Sequence, residues 1–243
     1  MSTETRETDL ILSSNEFAFV QDTNSGKIRV FVGPYKESLA GTDQPMVYDN
    51  RTQTFTKVSM KQAIQNFPLA DERSYIVLHN PSSYTGEEVL EAFPKPQTKN
   101  GDSKLRIGSK ITIQGPVTFP LWPGQVADVI EGHHLRSNQY LLVRVYNEEQ
   151  AQANWNKSVV RVASNEDPKE DTEGKDKKSS KEDNKEAADV SVISANVEHL
   201  TTGKILVIKG SDVSFYIPPT GVEVVPDNHG DYVREAVTLE RLE

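Results

Sequence analysis

Adjacent histidines, His133-His134, with Asp128 and Glu131 close upstream, form the one cluster in this chain whose side chains are of metal-binding type. A zinc-type site needs three or four such groups converging on one point. On a strand, neighbouring side chains leave opposite faces, so the two histidines make poor joint ligands. The pair reads as solvent-facing or as part of an interface, and no metal ligand is assigned. His79, His199 and His229 stand singly. Carboxylate catalysis requires two positioned groups in a pocket, and no spacing in the sequence pairs any two. No glycine-rich loop leads into a helix to cradle phosphate, and no Gly-x-Ser-x-Gly elbow presents a nucleophile. Cysteine is absent, which removes thiolate catalysis, disulfides and thiolate metal sites. Trp122 and Trp155 are of the type that stacks on sugars, while Trp122, flanked by Pro120 and Pro123, reads better as a packing anchor. The expectation is a protein that is not an enzyme and needs no cofactor.

The elements that would position any site are short strands. Three times a short aromatic-aliphatic run is followed by a second apolar run that ends at glycine. Glu16-Phe17-Ala18-Phe19-Val20 leads to Ile28–Val32 and Gly33-Pro34; Ser74-Tyr75-Ile76-Val77-Leu78 leads to Ile111-Thr112-Ile113 and Gly115-Pro116; Gln139-Tyr140-Leu141-Leu142-Val143 leads to Ile205–Ile208 and Gly210. Self-similarity of this kind marks a repeat architecture, in which each unit buries its apolar face against a neighbour. Alternation over Lys27–Val32 and Lys110–Gln114 predicts strands. Asn24-Ser25-Gly26 predicts a hairpin turn, and each Gly-Pro pair ends a strand. Met46-Val47-Tyr48, Val117-Thr118-Phe119 and Phe215-Tyr216-Ile217 predict further short strands. Helix is expected in two short pieces: two turns over Ser59–Asn66, capped by Ser59 with Met60, Ala63, Ile64 and Phe67 on one side, and a turn over Gly86–Phe93.

The 243 residues suffice for one large domain or several small ones. A net charge of −9 argues against non-specific nucleic-acid binding, since phosphate contacts need a surplus of Lys and Arg. No apolar stretch approaches a membrane span, and the polar, acidic start lacks the apolar core of a signal peptide. Asn50-Arg51-Thr52 and Asn156-Lys157-Ser158 match a glycosylation pattern but have no secretory context. A cytoplasmic protein or a component of a virus particle is expected. Residues 164–189 contain no Ile, Leu or aromatic residue before Val190 and mix Lys with Glu and Asp. Such a stretch buries too little apolar area to offset its ordering entropy and reads as a charged insertion.

Phe17–Asp22 through Val30-Phe31-Val32-Gly33-Pro34, Tyr75–Pro81, Thr118–Val126 with its Pro120-Leu121-Trp122-Pro123-Gly124 stop, and Gly203–Val225 resemble the repeats of the major vault protein family. The third copy carries Gly210-Ser211 where the pattern has Gly-Pro. The resemblance implies small antiparallel β modules that stack lengthwise into staves, and staves that pack side by side into a shell. The expected fold is therefore mainly all-β: tandem β modules of vault-repeat type. A flexible tail covers residues 1–9, repeat 1 residues 10–73, repeat 2 residues 74–138, and repeat 3 residues 139–243 with the insertion at 164–189. Gly33, Pro34, Gly115, Pro116, Trp122, Pro123, Gly124 and Gly210 are the candidate repeat-junction residues. The implied function is structural: a homo-oligomer, or a subunit docking into a larger ring, shell or virus particle. A monomeric scaffold that recruits a partner through the charged loop, and a glycan-binding module, are the alternatives.

Overall fold

The computed structural model describes residues 9–83, 93–101, 103–163 and 197–236. These are mainly strands, joined in small antiparallel sheets. The chain divides into two bodies, Met1–Ile130 and Glu131–Glu243. In the first, β1 (Asp9–Leu12), β2 (Glu16–Asp22), β3 (Ile28–Val32), β4 (Tyr35–Ser38), β5 (Asp43–Asp49), β6 (Thr54–Lys57), α1 (Met60–Ala63) and β7 (Ile64–Asn66) form one repeat. A second follows in β8 (Leu69–Ala70), β9 (Ser74–His79), β10 (Thr98–Asn100), β11 (Lys110–Gln114), β12 (Val117–Thr118) and β13 (Val126–Glu131). The second body contains the third repeat: β14 (His133–His134), β15 (Gln139–Val145), α2 (Glu148–Asn154), β16 (Val159–Val162), β17 (Ile205–Lys209), β18 (Val213–Ile217), β19 (Val222–Val224) and β20 (Arg234–Glu235).

One plan recurs in all three. A short strand pairs with the strand after the glycine stop: β1 with β4, β8 with β12, β14 with β18. Three strands with the same order form the core of the sheet beside it: β3-β2-β5 within a six-stranded sheet, β11-β9-β13 as a three-stranded one, and β17-β15-β19 within a four-stranded one. The registers coincide as well. Phe17 faces Val32, Tyr75 faces Gln114 and Tyr140 faces Lys209. The strand pairing therefore assigns Leu69–Ala70 and His133–His134 to the repeats that follow them, a few residues earlier than the apolar runs alone place the boundaries.

The turn into each central strand explains the shared register. In repeat 1 the Glu16 amide donates to the Ser13 carbonyl (3.3 Å) and the Ser13 amide to the Glu16 carboxylate (2.6 Å). In repeat 3 the Gln139 amide donates to the Arg136 carbonyl (2.9 Å) and the Arg136 amide to the Gln139 side chain (3.0 Å). Repeat 2 reverses the roles: Asp71 accepts from the Ser74 hydroxyl (2.7 Å) and the Arg73 amide (2.9 Å). The Ser74 and Arg73 bonds, led by Ser74, lower the pKa of Asp71.

Central strand β2 is buried on both sides. Ala18 and Val20 join Leu10, Leu12, Phe31 and Leu39 on one, and Phe17 and Phe19 join Val30, Val32 and Met46 on the other. In repeat 2, Ile76 and Leu78 pack with Ala70, Phe93 and Phe119. In repeat 3, Leu141, Val143 and Val145 pack with Trp155, Leu200, Ile208, Tyr216 and Val222.

Two expectations need correction. The helix over Ser59–Asn66 stops after one turn at Ala63. Ile64–Asn66 turns extended because it pairs with Glu16–Ala18, and the ladder outweighs the helical pattern. The Ser59 amide still finds a cap in the Gln62 side chain (3.1 Å). Nor does His133-His134 face solvent as a pair. The two side chains leave opposite faces of β14, but His133 is buried. The short turn expected over Gly86–Phe93, apart from Phe93, lies outside the described residues, as do the insertion at 164–189 and most of the tail at 1–9.

Candidate functional site

The glycines at the stops have a steric reason to be glycine. Gly33 donates its amide to the Glu16 carbonyl (2.8 Å), Gly115 to that of Ser74 (3.0 Å) and Gly210 to that of Gln139 (2.7 Å). A β-carbon there would overlap the backbone carbonyl oxygens of Ser13, Asp71 and Arg136 respectively. The chain thus crosses close over the entry turn of its own central strand, an approach that a side chain forbids. Pro34 and Pro116 follow in cis peptide bonds, whereas Ser211 occupies that place in repeat 3. All three glycines act within their own repeat, closing it.

Contact between repeats is made elsewhere, by the segment after β12. Leu121 and Trp122, which belong to repeat 2, pack on the repeat 1 cluster of Phe17, Phe19, Val30, Val32 and Met46. The prolines at 120 and 123 keep this segment out of the ladder. Phe67 also covers that face, with its ring 6.1 Å from Phe17, and Phe55 lies 5.8 Å from Phe19. Leu121 touches the repeat 2 core as well, so it bridges the two clusters.

A polar brace holds the bridge in place. Gln125 is buried; its carbonyl oxygen accepts from the Trp122 amide (2.9 Å) and its amide group donates to the Asn80 carbonyl (3.1 Å). The Asn80 side chain donates to the Gly124 carbonyl (2.9 Å) and accepts from the Gly108 amide (2.9 Å). Gly124 has φ +92 and Asn80 φ 53, left-handed values that glycine and asparagine tolerate best. Nearby, His79 and Asp128 approach to 3.1 Å at the surface. Sequence reasoning found Trp122, Pro123 and Gly124 but missed Gln125 and Asn80. The signal available was a Gln directly after the Pro123-Gly124 stop and an Asn80-Pro81 strand end.

A second edge contact ties the same two repeats. β10, from the long connection of repeat 2, pairs with β3 of repeat 1, placing Thr98 opposite Val32 and Asn100 opposite Val30. Lys99 lies over the Phe31 ring at 4.9 Å and bonds Glu37 at 2.9 Å. The free edge of β3 is thereby covered.

The remaining candidates of reactive type include three that are buried, Trp155, His133 and Tyr216. Trp155 is buried in the core of repeat 3 and offers no platform for a sugar. His133 sits edge-on to Tyr232 with ring centroids 5.0 Å apart, and burial lowers its pKa to about 4. The Ser158 hydroxyl donates to the Trp155 carbonyl (2.7 Å), and the buried Tyr216 hydroxyl makes no well-formed hydrogen bond. Among the described residues no three His, Asp or Glu side chains are placed to hold a metal. Among them, too, no helix is long and apolar enough to cross a membrane. No protein-family model matches the chain, and no curated protein is similar to it in sequence.

Proposed function

We propose that this chain is a non-enzymatic structural protein that self-assembles, or docks into a larger ring, shell or virus particle, through its stacked vault-like β repeats. The observation that carries the reading is the joint between repeats 1 and 2. Repeat 2 contributes Leu121 and Trp122 to the repeat 1 cluster and β10 to the repeat 1 sheet, so burial of one module depends on its neighbour. Modules that stack in this way extend from chain to chain by the same contacts, and closure into a ring removes open sheet edges. The strongly buried positions serve packing: Trp155, Tyr216 and His133 all lie in cores rather than in a cleft.

Sedimentation velocity across a hundredfold range of concentration, with negative-stain electron microscopy of the heaviest species, tests this reading. A discrete oligomer, or rods and rings of regular width, is the expected result. A monomer at every concentration, in the presence and absence of a crowding agent, would overturn self-assembly.

A further inference from the structure

Asn100-Gly101 is the only Asn-Gly pair in the chain. The backbone nitrogen that follows an asparagine lies within reach of the side-chain carbonyl carbon. Glycine, lacking Cβ, leaves that nitrogen unshielded and free to turn toward it. Here Gly101 is exposed, and a β-carbon on it would meet no atom within 4 Å. The Asn100 side chain is held instead by its own turn. Its Oδ1 accepts from the Lys95 amide (3.0 Å), and its Nδ2 donates to the carbonyls of Lys95 (3.0 Å) and Thr98 (3.4 Å). Residues 95–99 of this turn are all exposed, and Gln97 takes φ 57, a left-handed value that burdens a residue with a side chain. Few buried contacts oppose local opening here, and opening frees the Asn100 side chain.

We propose that Asn100-Gly101 is a self-modification site, at which deamidation of Asn100 releases β10 from β3 and so loosens repeat 2 from repeat 1. The Gly101 nitrogen bonds to Asn100 Cγ, and the Cγ–Nδ2 bond breaks. Nδ2 leaves as ammonia, carrying the proton that the Gly101 amide sheds, and a cyclic imide remains. Water then opens one of the imide C–N bonds. Opening at Cγ leaves an aspartyl residue at position 100. Opening at the main-chain carbonyl carbon leaves an isoaspartyl link, in which the backbone runs through Cγ. Either way water is consumed, ammonia is lost and one negative charge is gained. No oxidant, metal or enzyme is required.

The position of the pair gives the change its effect. β10 is the strand by which repeat 2 covers the edge of β3, and Asn100 stands there opposite the buried Val30. An amide both donates and accepts, which is why Asn100 satisfies the Lys95 amide and two carbonyls at once. A carboxylate only accepts. Its second oxygen would face the Lys95 and Thr98 carbonyls, acceptor against acceptor, and the turn loses its closure. The isoaspartyl link also lengthens the main chain at the end of β10, beyond what the ladder opposite Val30 accommodates. β10 is only three residues long and carries Lys99, which lies over Phe31 and bonds Glu37. Losing its last residue and its turn together leaves too little to hold the strand, and the β3 edge is uncovered.

The test ages the full chain at neutral and mildly alkaline pH and separates modified from unmodified protein by ion exchange. Trypsin frees residues 100–104 as one peptide, whose mass and labelling by isoaspartate methyltransferase report the reaction. Hydrogen exchange of the β3 amides in each pool reports its consequence. Asn100 is expected to convert at least tenfold faster than Asn24 and Asn228, which precede serine and histidine. The β3 amides are expected to exchange at least tenfold faster in the modified pool. Gly101→Ala, which the open space around Gly101 admits, is expected to keep the native circular dichroism and slow conversion at least tenfold. Conversion at Asn100 no faster than at Asn24 and Asn228 would overturn the site. A modified pool whose β3 amides remain as protected as before would overturn the release of β10.

Discussion

The two ends of each sheet behave differently. At the glycine end, the three repeats share one backbone arrangement to within a hydrogen bond: Gly33 on Glu16, Gly115 on Ser74, Gly210 on Gln139. At the opposite end, the connection between the same two strands occupies residues 23–27 in repeat 1, 80–109 in repeat 2 and 146–204 in repeat 3. The first end is fixed by atoms in contact, where one added carbon has no space. The second varies in length because loop-closure entropy rises slowly with length, and the longer connections carry elements of their own, β10 in repeat 2 and α2 and β16 in repeat 3. A repeat tolerates growth at the end where its connections can add such elements and resists any change where backbone meets backbone.

The strongest way to break this comparison is to add one methyl at each end of the same hairpin. Gly33→Ala puts a carbon into the Ser13 carbonyl and is expected to lose about 4 kcal/mol or prevent folding. Gly26→Ala, at φ +71 but in open space, is expected to lose only about 1 kcal/mol. Urea unfolding of both variants decides it, and equal losses would refute the contact argument.

Acid should expose the third repeat through His133. Its pKa is lowered to about 4 in the folded chain against 6.5 unfolded, so the unfolded state binds the extra proton first. Stability is full above pH 6.5, falls as pH drops toward 4 and levels off below, by about 3 kcal/mol in total. Stability measured against pH in His133→Gln should lack that part of the slope; an unchanged slope would assign it to other groups.

Trp122→Ala should remove about 2–3 kcal/mol, less than for a fully buried ring because the side chain is half-buried. Loss confined to the first body, read by hydrogen exchange at Phe17–Val20, would sharpen its role as the bridge between repeats. Tyr216→Phe should gain up to about 1 kcal/mol, since it removes a buried hydroxyl that makes no well-formed hydrogen bond. The smallest effect belongs to the far end of the hairpins: replacing residues 164–189 by a short Gly-Ser linker should shift thermal stability by about 1 kcal/mol or less.

The sequence showed the central hairpins well, because each has an apolar or aromatic run, an alternating partner and a glycine stop. It showed β12 as the run Val117-Thr118-Phe119, but not β8 or β14, whose two residues carry no period to detect. Ser59–Asn66 has helical spacing, but pairing of Ile64–Asn66 with β2 is a long-range contact that local pattern does not register. The junction was half visible. Leu121 and Trp122 announce an apolar anchor between prolines, while the Gln125–Asn80 brace joins residues far apart in sequence, each ordinary in its own surroundings. His133 and Trp155 looked available for chemistry because burial is a property of the assembled repeat.

The strand β10 has a consequence for the order in which the chain can fold. Val30–Val32 pairs with Thr98–Asn100, so the first sheet is incomplete until the chain has been synthesised beyond Asn100. A nascent first repeat on the ribosome therefore displays an unpaired β3 edge through the making of β4 to β9. Contacts of such long sequence separation close late. The first and second repeats mature together, and a chain cut between them would present that edge to its neighbours as an aggregation template.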